Sequence, residues 1–229
     1  QTFMAITDHG TTSGLWEAQK VGDEVGIKII FGNEFYYQFD DSDEHGHLVI
    51  LAKNNVGLRN IFKLQEYSYV HNFKRKPRIN WEVLQQHHEG LIVTSSCLGS
   101  EFNQFLIQGM YNEALEWARK FQQLFGEDFY IELQPNKIPE QHVANTGSIR
   151  IARQLGIKLV ATNDVHYNFE SDCFPHEVLL ALQTNKKMSE EKRFKFDTQD
   201  FWLKSEEEML ETFDQLPFEV VVEAMSNTV

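Results

Sequence analysis

The sequence predicts an α/β fold, in which alternating strands and helices build a β/α barrel. Six short apolar runs have the length and composition of strands, and most are separated by segments with helical periodicity. Strands that alternate with helices of this length indicate crossover units and a parallel sheet. Six such units, with no glycine-rich nucleotide loop after the first strand, favour a barrel over an open doubly wound sheet.

The predicted elements run through almost the whole sequence. The strands are expected at residues 3–6, 27–31, 48–52, 91–94, 129–133 and 158–161. The helices are expected at residues 15–25, 56–70, 81–87, 102–108, 111–125 and 139–155, with further helices from Ser171 and after a capping box at Ser205. We expect the helix from Ser171 to pack its apolar face on the barrel. Residues 1–200 would form the main domain, and residues 201–229 a helical segment that leads into a longer polypeptide.

Composition narrows the class of protein. Of the 229 residues, 41% are hydrophobic and 24% are charged, which is ordinary for a globular protein. The formal charge of −13 argues against a surface that binds nucleic acid by charge alone, but it is compatible with an acidic metal site that handles phosphates through cations. Cys97 and Cys173 do not make a disulfide framework, and no secretory or transmembrane segment is visible. A reducing, cytoplasmic setting is therefore expected.

The most informative stretch follows the last predicted strand. Asp164 and His166 are two residues apart, and in extended chain this spacing puts both side chains on the same face. A carboxylate and an imidazole at the carboxyl end of a parallel strand can share one divalent metal. Two interpretations stay open for this pair alone, since Asp164 can also cap the next helix and His166 can be an ordinary surface histidine.

Other strand ends carry residues that also bind metals. His9 follows the first strand, with Gly10 allowing a sharp turn and Asp8 expected to orient His9 rather than to bind. Glu34 is a carboxylate in a strongly apolar stretch, so it needs a partner or a metal, unless it faces solvent at a strand edge. Cys97 follows another strand and is either core filler or a soft ligand that would favour zinc.

Three further features have weaker interpretations. His47 opens its strand, which is the wrong end for a barrel site, so position alone gives it little support. The acidic residues 40–45 are expected to form a solvated hairpin or loop rather than a metal cluster. A basic island, whose members are Lys74, Arg75, Lys76 and Arg78, is either a solvated loop or a contact for a nucleic-acid backbone.

Taken together, these motifs resemble the polymerase-and-histidinol-phosphatase (PHP) superfamily. The motifs are Thr7-Asp8-His9-Gly10, Gly32-Asn33-Glu34, His47-Leu48, Ser96-Cys97-Leu98-Gly99 and Asn163-Asp164-Val165-His166-Tyr167. Residues 47–54, 76–79, 139–141 and 203–209 narrow the resemblance to the PHP domains of bacterial and phage DNA polymerase III α subunits, the C-family replicative polymerases. The family's first motif, His-x-His, is absent, and we attribute this to a truncated N-terminus.

The resemblance implies a distorted seven-stranded β/α barrel whose first strand would precede Gln1. It also implies up to three divalent metals, zinc and/or manganese, while magnesium would serve the parent polymerase. The implied ligands are His9, Glu34, His47, Cys97, Asp164 and His166, and Asp164 and His166 are also the implied catalytic residues.

The implied activity is metal-dependent phosphoester hydrolysis, used on a DNA 3′ end as 3′–5′ proofreading exonuclease activity during DNA replication. Nucleotide addition, a nucleotidyltransferase reaction, would belong to the parent polymerase outside this sequence. Two alternatives stay open: a silent PHP domain that braces the polymerase and docks a separate proofreading subunit, and a free-standing phosphatase that acts on a small phosphomonoester. The implied partners are the DNA primer and other replisome subunits, with no membrane.

Overall fold

In the computed structural model, helices and strands alternate along residues 2–39 and 42–228, the part of the chain that the structure describes. Its elements are β1 (Phe3–Ile6), α1 (Leu15–Val25), β2 (Lys28–Gln38), β3 (His45–Ala52), α2 (Asn55–Val70), β4 (Phe73–Lys74), β5 (Lys76–Ile79), α3 (Trp81–Gln86), β6 (Leu91–Thr94), α4 (Glu101–Ile107), α5 (Tyr111–Phe125), β7 (Phe129–Leu133), α6 (Pro139–Leu155), β8 (Lys158–Ala161), α7 (Cys173–Gln183), α8 (Glu206–Thr212) and α9 (Phe218–Ser226). The predicted α/β class is confirmed.

The chain divides into two units. The first comprises residues 1–132 and 148–158, and the second comprises residues 133–147 and 159–229. Within the described residues, no helix is both long enough and apolar enough to cross a membrane.

The sheet of the first unit is mixed rather than parallel. Its strand order is β4-β5-β2-β3-β6-β7, with β1 also paired to β2. The pairs β1/β2, β2/β5 and β6/β7 are parallel, whereas β2/β3 and β3/β6 are antiparallel. The prediction of an all-parallel sheet was therefore wrong for β3. The physical reason is that the segment between β2 and β3 is too short for a crossover, so these two strands form a hairpin.

Strand β2 is longer than predicted and organises the sheet. Its first residues pair with β1, from Phe3↔Lys28 to Ile6↔Phe31, and its later residues pair with β3. Because β2 continues to Gln38, Glu34 lies inside the strand rather than beyond its end. In the hairpin that follows, Phe39 N–H donates to the Glu44 carbonyl. The described residues 42–45 are thus part of a hairpin, as predicted, whereas Asp40 and Asp41 lie outside the described residues.

An aromatic cluster forms part of the core of the first unit. The ring of Phe121 on α5 stacks on Trp117 at 3.8 Å between centroids and lies 5.2 Å from Trp81 and 5.7 Å from Phe129. Phe121 is fully buried. The cluster joins α5 to α3 and to β7, so helix packing and the position of this strand depend on the same side chains.

The basic island is a hairpin and not a loop. Strands β4 and β5 pair antiparallel, and Arg75 occupies the turn with φ of 63°. Lys74 pairs with the Asp43 carboxylate at 2.5 Å and remains exposed. Arg78 is only 2% exposed and its Nη1 donates to the Asp43 carbonyl, which argues against a direct phosphate contact by this side chain.

Helix α7 differs from expectation in its exposure. The predicted packing face contains Val178, Leu179, Ala181 and Leu182, but among these only Ala181 is buried. Leu179 is 61% exposed and Leu182 is 74% exposed. Apolar periodicity identifies an amphipathic face without saying what covers it, so the packing of this face on the barrel stays a prediction.

Candidate metal centre

Glu34 is the centre of the site in the first unit. This carboxylate is only 6% exposed, and its neighbours in β2 are largely apolar. The main chain of Glu34 is bonded to the turn after β1, since its N–H donates to the Asp8 carbonyl and its carbonyl accepts from the Gly10 N–H. These bonds bring His9 beside Glu34, as the isolated bridge between the two residues records.

Gly10 makes this turn possible. Its φ is +61°, which is a conformation that residues with a Cβ seldom adopt. A Cβ placed there would also approach the Tyr36 ring to 2.9 Å. The predicted sharp turn is therefore observed, and it lets the chain leave β1 with His9 against β2.

His47 reaches the same place because β3 is antiparallel. The start of an antiparallel strand lies at the edge where its partner ends. His47 pairs with Tyr36 in the β2/β3 register, close to the carboxyl end of β2. The position that made His47 unconvincing in a parallel barrel is therefore the one that brings it to the site.

The three side chains meet at short distances. His9 Nδ1 lies 3.3 Å from Glu34 Oε2, and His47 Nδ1 lies 3.1 Å from Glu34 Oε1. One ligand atom from each residue falls within 4.8 Å of the others. Two imidazole nitrogens and a carboxylate oxygen form a donor set that suits zinc or manganese. These residues therefore fit a divalent metal.

Cys97 lies at the edge of this cluster. Its Sγ is 3.2 Å from His47 Nδ1 and 3.6 Å from Glu34 Oε1. The preceding residue, Ser96, has φ of +61° and donates through Oγ to Glu34 Oε1 at 3.3 Å. Asn103 Nδ2 donates to the carbonyls of Ser96 and Cys97, at 3.0 and 2.9 Å. The loop is thus held with its thiol beside Glu34 and His47, and a ligand role for Cys97 stays a prediction.

Glu34 stays ionised in this environment. Burial on its own raises the pKa of Glu34, but the hydrogen bond from His47 and the charges of His47 and His9 outweigh burial, so that the pKa is lowered overall. A buried carboxylate that is held in its charged form is ready to bind a cation.

Asp164 and His166 belong to the second unit, where they form a pair of their own. His166 Nε2 lies 3.4 Å from Asp164 Oδ1, and both side chains are 20% exposed. Asp164 has φ of +49°, so the chain turns between β8 and His166 instead of continuing as a strand. The simple alternation of an extended chain therefore does not explain why the two side chains meet.

Several residues at the two sites were not singled out from the sequence. Ser96 and Asn103 support the Cys97 loop, Tyr36 stacks on His9 with centroids 5.9 Å apart, and His176 lies 5.6 Å from the His166 ring. Ser96 follows a predicted strand and sits beside Cys97, so its position was a usable signal. Asp8 contacts the centre through its main-chain carbonyl, and the orienting role of its carboxylate stays a prediction.

The chain is similar to known proteins over most of its length. Residues 1–136 match the family model described as PHP domain. The chain is 41% identical over 227 residues to DNA polymerase III subunit alpha of Treponema pallidum, which covers 95% of this chain and 19% of that protein. The subunit alpha of Borreliella burgdorferi is 37% identical over 237 residues, covering 100% of this chain and 20% of that protein. The chain thus spans about a fifth of the length of these relatives.

One solved structure is also similar. It is described as a putative metal-dependent phosphoesterase from Bifidobacterium adolescentis, with 15% identity and a TM-score of 0.34 over 71% of this chain and 76% of that chain. This likeness is too weak to carry an argument. The match to the family model is different, because it contains His9, Glu34, His47 and Cys97. Because the family model matches more than half of this chain, the chain belongs to the PHP domain family.

Proposed function

We propose that this chain is the PHP domain of a DNA polymerase III α subunit and that it removes nucleotides from a DNA 3′ end by metal-dependent hydrolysis. The observation that supports the proposal most is the buried, ionised Glu34 between two imidazoles. Buried carboxylates are either paired or coordinate a metal, and the donors that surround Glu34 are those of a transition-metal site. The similarity to DNA polymerase III subunit alpha over at least 90% of this chain supports DNA as the substrate.

Each predicted ligand has a role in this proposal. Glu34, His9, His47 and Cys97 are the proposed ligands of one divalent ion in the first unit, and Asp164 and His166 are proposed metal ligands in the second unit. When bound, such ions supply an activated water and neutralise charge on the phosphoryl group. Asp164 and His166 are also the proposed catalytic pair, in which the Asp164 carboxylate can fix the orientation of the His166 imidazole.

The basic hairpin is the proposed contact for the DNA backbone. Lys76 Nζ donates to the Tyr36 hydroxyl at 3.1 Å, and the Tyr36 ring stacks on His9. The ammonium of Lys76 is therefore linked through one aromatic ring to the candidate metal centre. Lys74 and Arg75 lie beside it on an exposed turn, where they can position a phosphate without reading sequence.

The test is a primer-degradation assay on the full-length protein that carries this chain. A 5′-labelled primer with a mismatched 3′ end is incubated with manganese or zinc and without nucleotides. Asp164→Asn and Glu34→Gln should abolish shortening, whereas Glu24→Gln, a change at an exposed carboxylate of α1, should leave it unchanged. Nucleotide addition should persist in all three variants, and its persistence would show that each variant is folded.

Two results would contradict the proposal. The first is shortening of the primer at an unchanged rate by Asp164→Asn. The second is an intact primer with the parent protein in every metal tested, and this result would favour a PHP domain that braces the polymerase.

Lys76→Ala should weaken DNA binding and reduce the salt dependence of binding by about one phosphate contact.

A further inference from the structure

The loop that carries Asp164 and His166 has an unusual backbone. Asp164 has φ of +49°, in the left-handed region that residues other than glycine seldom occupy. A conformation of this kind persists only where neighbouring structure holds it in place. The residues that hold this loop are therefore of functional interest.

Residues 199–204 lie alongside this loop in the second unit. The His166 N–H donates to the Phe201 carbonyl at 2.9 Å, and the Leu203 N–H donates to the Tyr167 carbonyl at 3.1 Å. The Tyr167 hydroxyl donates to the Gln199 carbonyl at 2.5 Å. Tyr167 and Trp202 form a parallel bridge, so the two segments are joined as a minimal two-stranded pair. His166 is thus fixed through its main chain.

Asn163 and Lys204 hold the chain on the N-terminal side of Asp164. The Asn163 side chain donates through Nδ2 to the Trp202 carbonyl and accepts through Oδ1 from Lys204 Nζ, at 2.5 and 3.1 Å. Lys204 Nζ also donates to the Asp200 carbonyl and lies 3.5 Å from the centroid of the Trp202 ring. Asn163 precedes Asp164 directly, so restraint on its side chain restrains the backbone of the ligand.

Lys204 is an unusual residue for this position. It is 3% exposed, and lysine is almost never fully buried unless it is paired. Burial lowers the pKa of Lys204 to about 8, although Asp200, Glu208 and Glu170 act in the opposite direction. Burying an ammonium costs stability, so a purely structural element would be served as well by an apolar side chain. What an apolar side chain cannot supply is donors for Asn163 and Asp200.

We infer that residues 199–204 form a clamp that sets Asp164 and His166 for metal binding, and that Lys204 is its positioning residue. This inference rests on the proposed metal role of the pair. Lys204 orients the Asn163 amide, the amide fixes the start of the turn, and the turn directs the Asp164 carboxylate toward His166.

The test is a double-mutant cycle on zinc affinity, measured in the full-length protein by competition with a chromophoric chelator. The four proteins are the parent, Lys204→Met, Asp164→Asn and the double variant. Some of the zinc binding should be lost in Asp164→Asn, and this is the zinc step that depends on Asp164. Lys204→Met should lower the zinc affinity of that step by about 10 to 100-fold, as expected for a group that supports a ligand. In the Asp164→Asn background the same change should have an effect of less than about twofold.

A matched control and a rescue make the result specific. Lys187→Met removes an exposed lysine from the same unit and should leave zinc affinity unchanged. Lys204→Arg keeps a cationic donor and should retain more affinity than Lys204→Met. Amide hydrogen exchange on the metal-free protein gives a second readout: Lys204→Met should speed exchange at His166 and Leu203, whose N–H groups are bonded across the clamp.

The inference is overturned if Lys204→Met binds zinc as the parent does, if the losses in the cycle are additive, or if no zinc step depends on Asp164. If Lys204→Met is unfolded, Asn163→Ala takes its place in the cycle, because it removes the amide that Lys204 orients, and zinc affinity equal to that of the parent would again overturn the inference. Zinc affinity is independent of DNA cleavage. A non-additive cycle in a protein that leaves DNA intact would thus sustain the clamp and reject the nuclease.

Discussion

Glu34→Gln is the substitution that examines the candidate metal centre most closely. The amide has the same shape as the carboxylate but lacks its charge. In the parent, the two carboxylate oxygens lie 3.1 and 3.3 Å from the imidazole nitrogens of His47 and His9. The substitution therefore removes the proposed anionic metal ligand and two charge-assisted contacts in a buried site, while it leaves the packing intact.

The expected magnitudes follow from these contacts. Loss of a group that merely supports a ligand costs about 10 to 100-fold in metal affinity, so loss of the ligand itself should cost at least about 100-fold, or about 2.7 kcal/mol. Without metal, Glu34→Gln should lower the free energy of unfolding by a smaller amount, about 1 to 2 kcal/mol. The loss is small because the amide keeps one of the two hydrogen bonds and because the desolvation penalty of the charge is relieved.

The assay combines two measurements on the same variants. Zinc affinity is measured by competition with a chromophoric chelator, and the free energy of unfolding is measured by urea denaturation in excess chelator. Glu24→Gln, on the exposed face of α1, is the control for loss of one negative charge. Zinc affinity of Glu34→Gln within about threefold of the parent, a difference of only about 0.7 kcal/mol, would refute the reasoning.

Three further predictions address other parts of the chain. Cys97→Ser should lower zinc affinity by about tenfold more than manganese affinity, because a thiolate favours zinc, and equal losses in parallel titrations would exclude a thiol ligand. Phe121→Ala should lower the free energy of unfolding by about 3 to 5 kcal/mol, since it empties the aromatic cluster, whereas Phe218→Ala at a 71% exposed position should change it by less than about 0.5 kcal/mol; similar urea midpoints would contradict this. The pKa of Lys204 is lowered to about 8 in the folded protein, against 10.5 in the unfolded chain, so the unfolded state binds more protons between these two pH values. The free energy of unfolding of the parent, relative to that of Lys204→Met, should therefore be flat below pH 8 and should rise between pH 8 and 10.5. A difference that falls with pH in urea denaturation would contradict this prediction.

The strongest helical patterns gave accurate element boundaries. Helices α1, α5 and α6 begin and end at the predicted residues, because their apolar periodicity is bounded by glycine or by proline. Strand direction was harder to predict. An apolar run such as residues 48–52 has the same composition in either direction, and the hairpin before it was visible only as an acidic loop.

The candidate site shows the same limit. Glu34 was identifiable because a carboxylate in an apolar strand needs a partner, and His9 because it follows a strand and precedes a glycine. His47 was supported only by resemblance, since its usefulness depends on the antiparallel pairing of β3. Asn103 and Lys204 were beyond reach, because each acts through a contact with residues far along the chain or across a turn.

The central claim is that His9, Glu34 and His47 hold a divalent metal. Anomalous diffraction at the zinc edge, from crystals of the full-length protein grown with zinc, tests it directly. The account predicts a peak at about 2.0 to 2.2 Å from one nitrogen of each histidine and from a Glu34 oxygen. A map with strong zinc peaks elsewhere and none among these three side chains would contradict it.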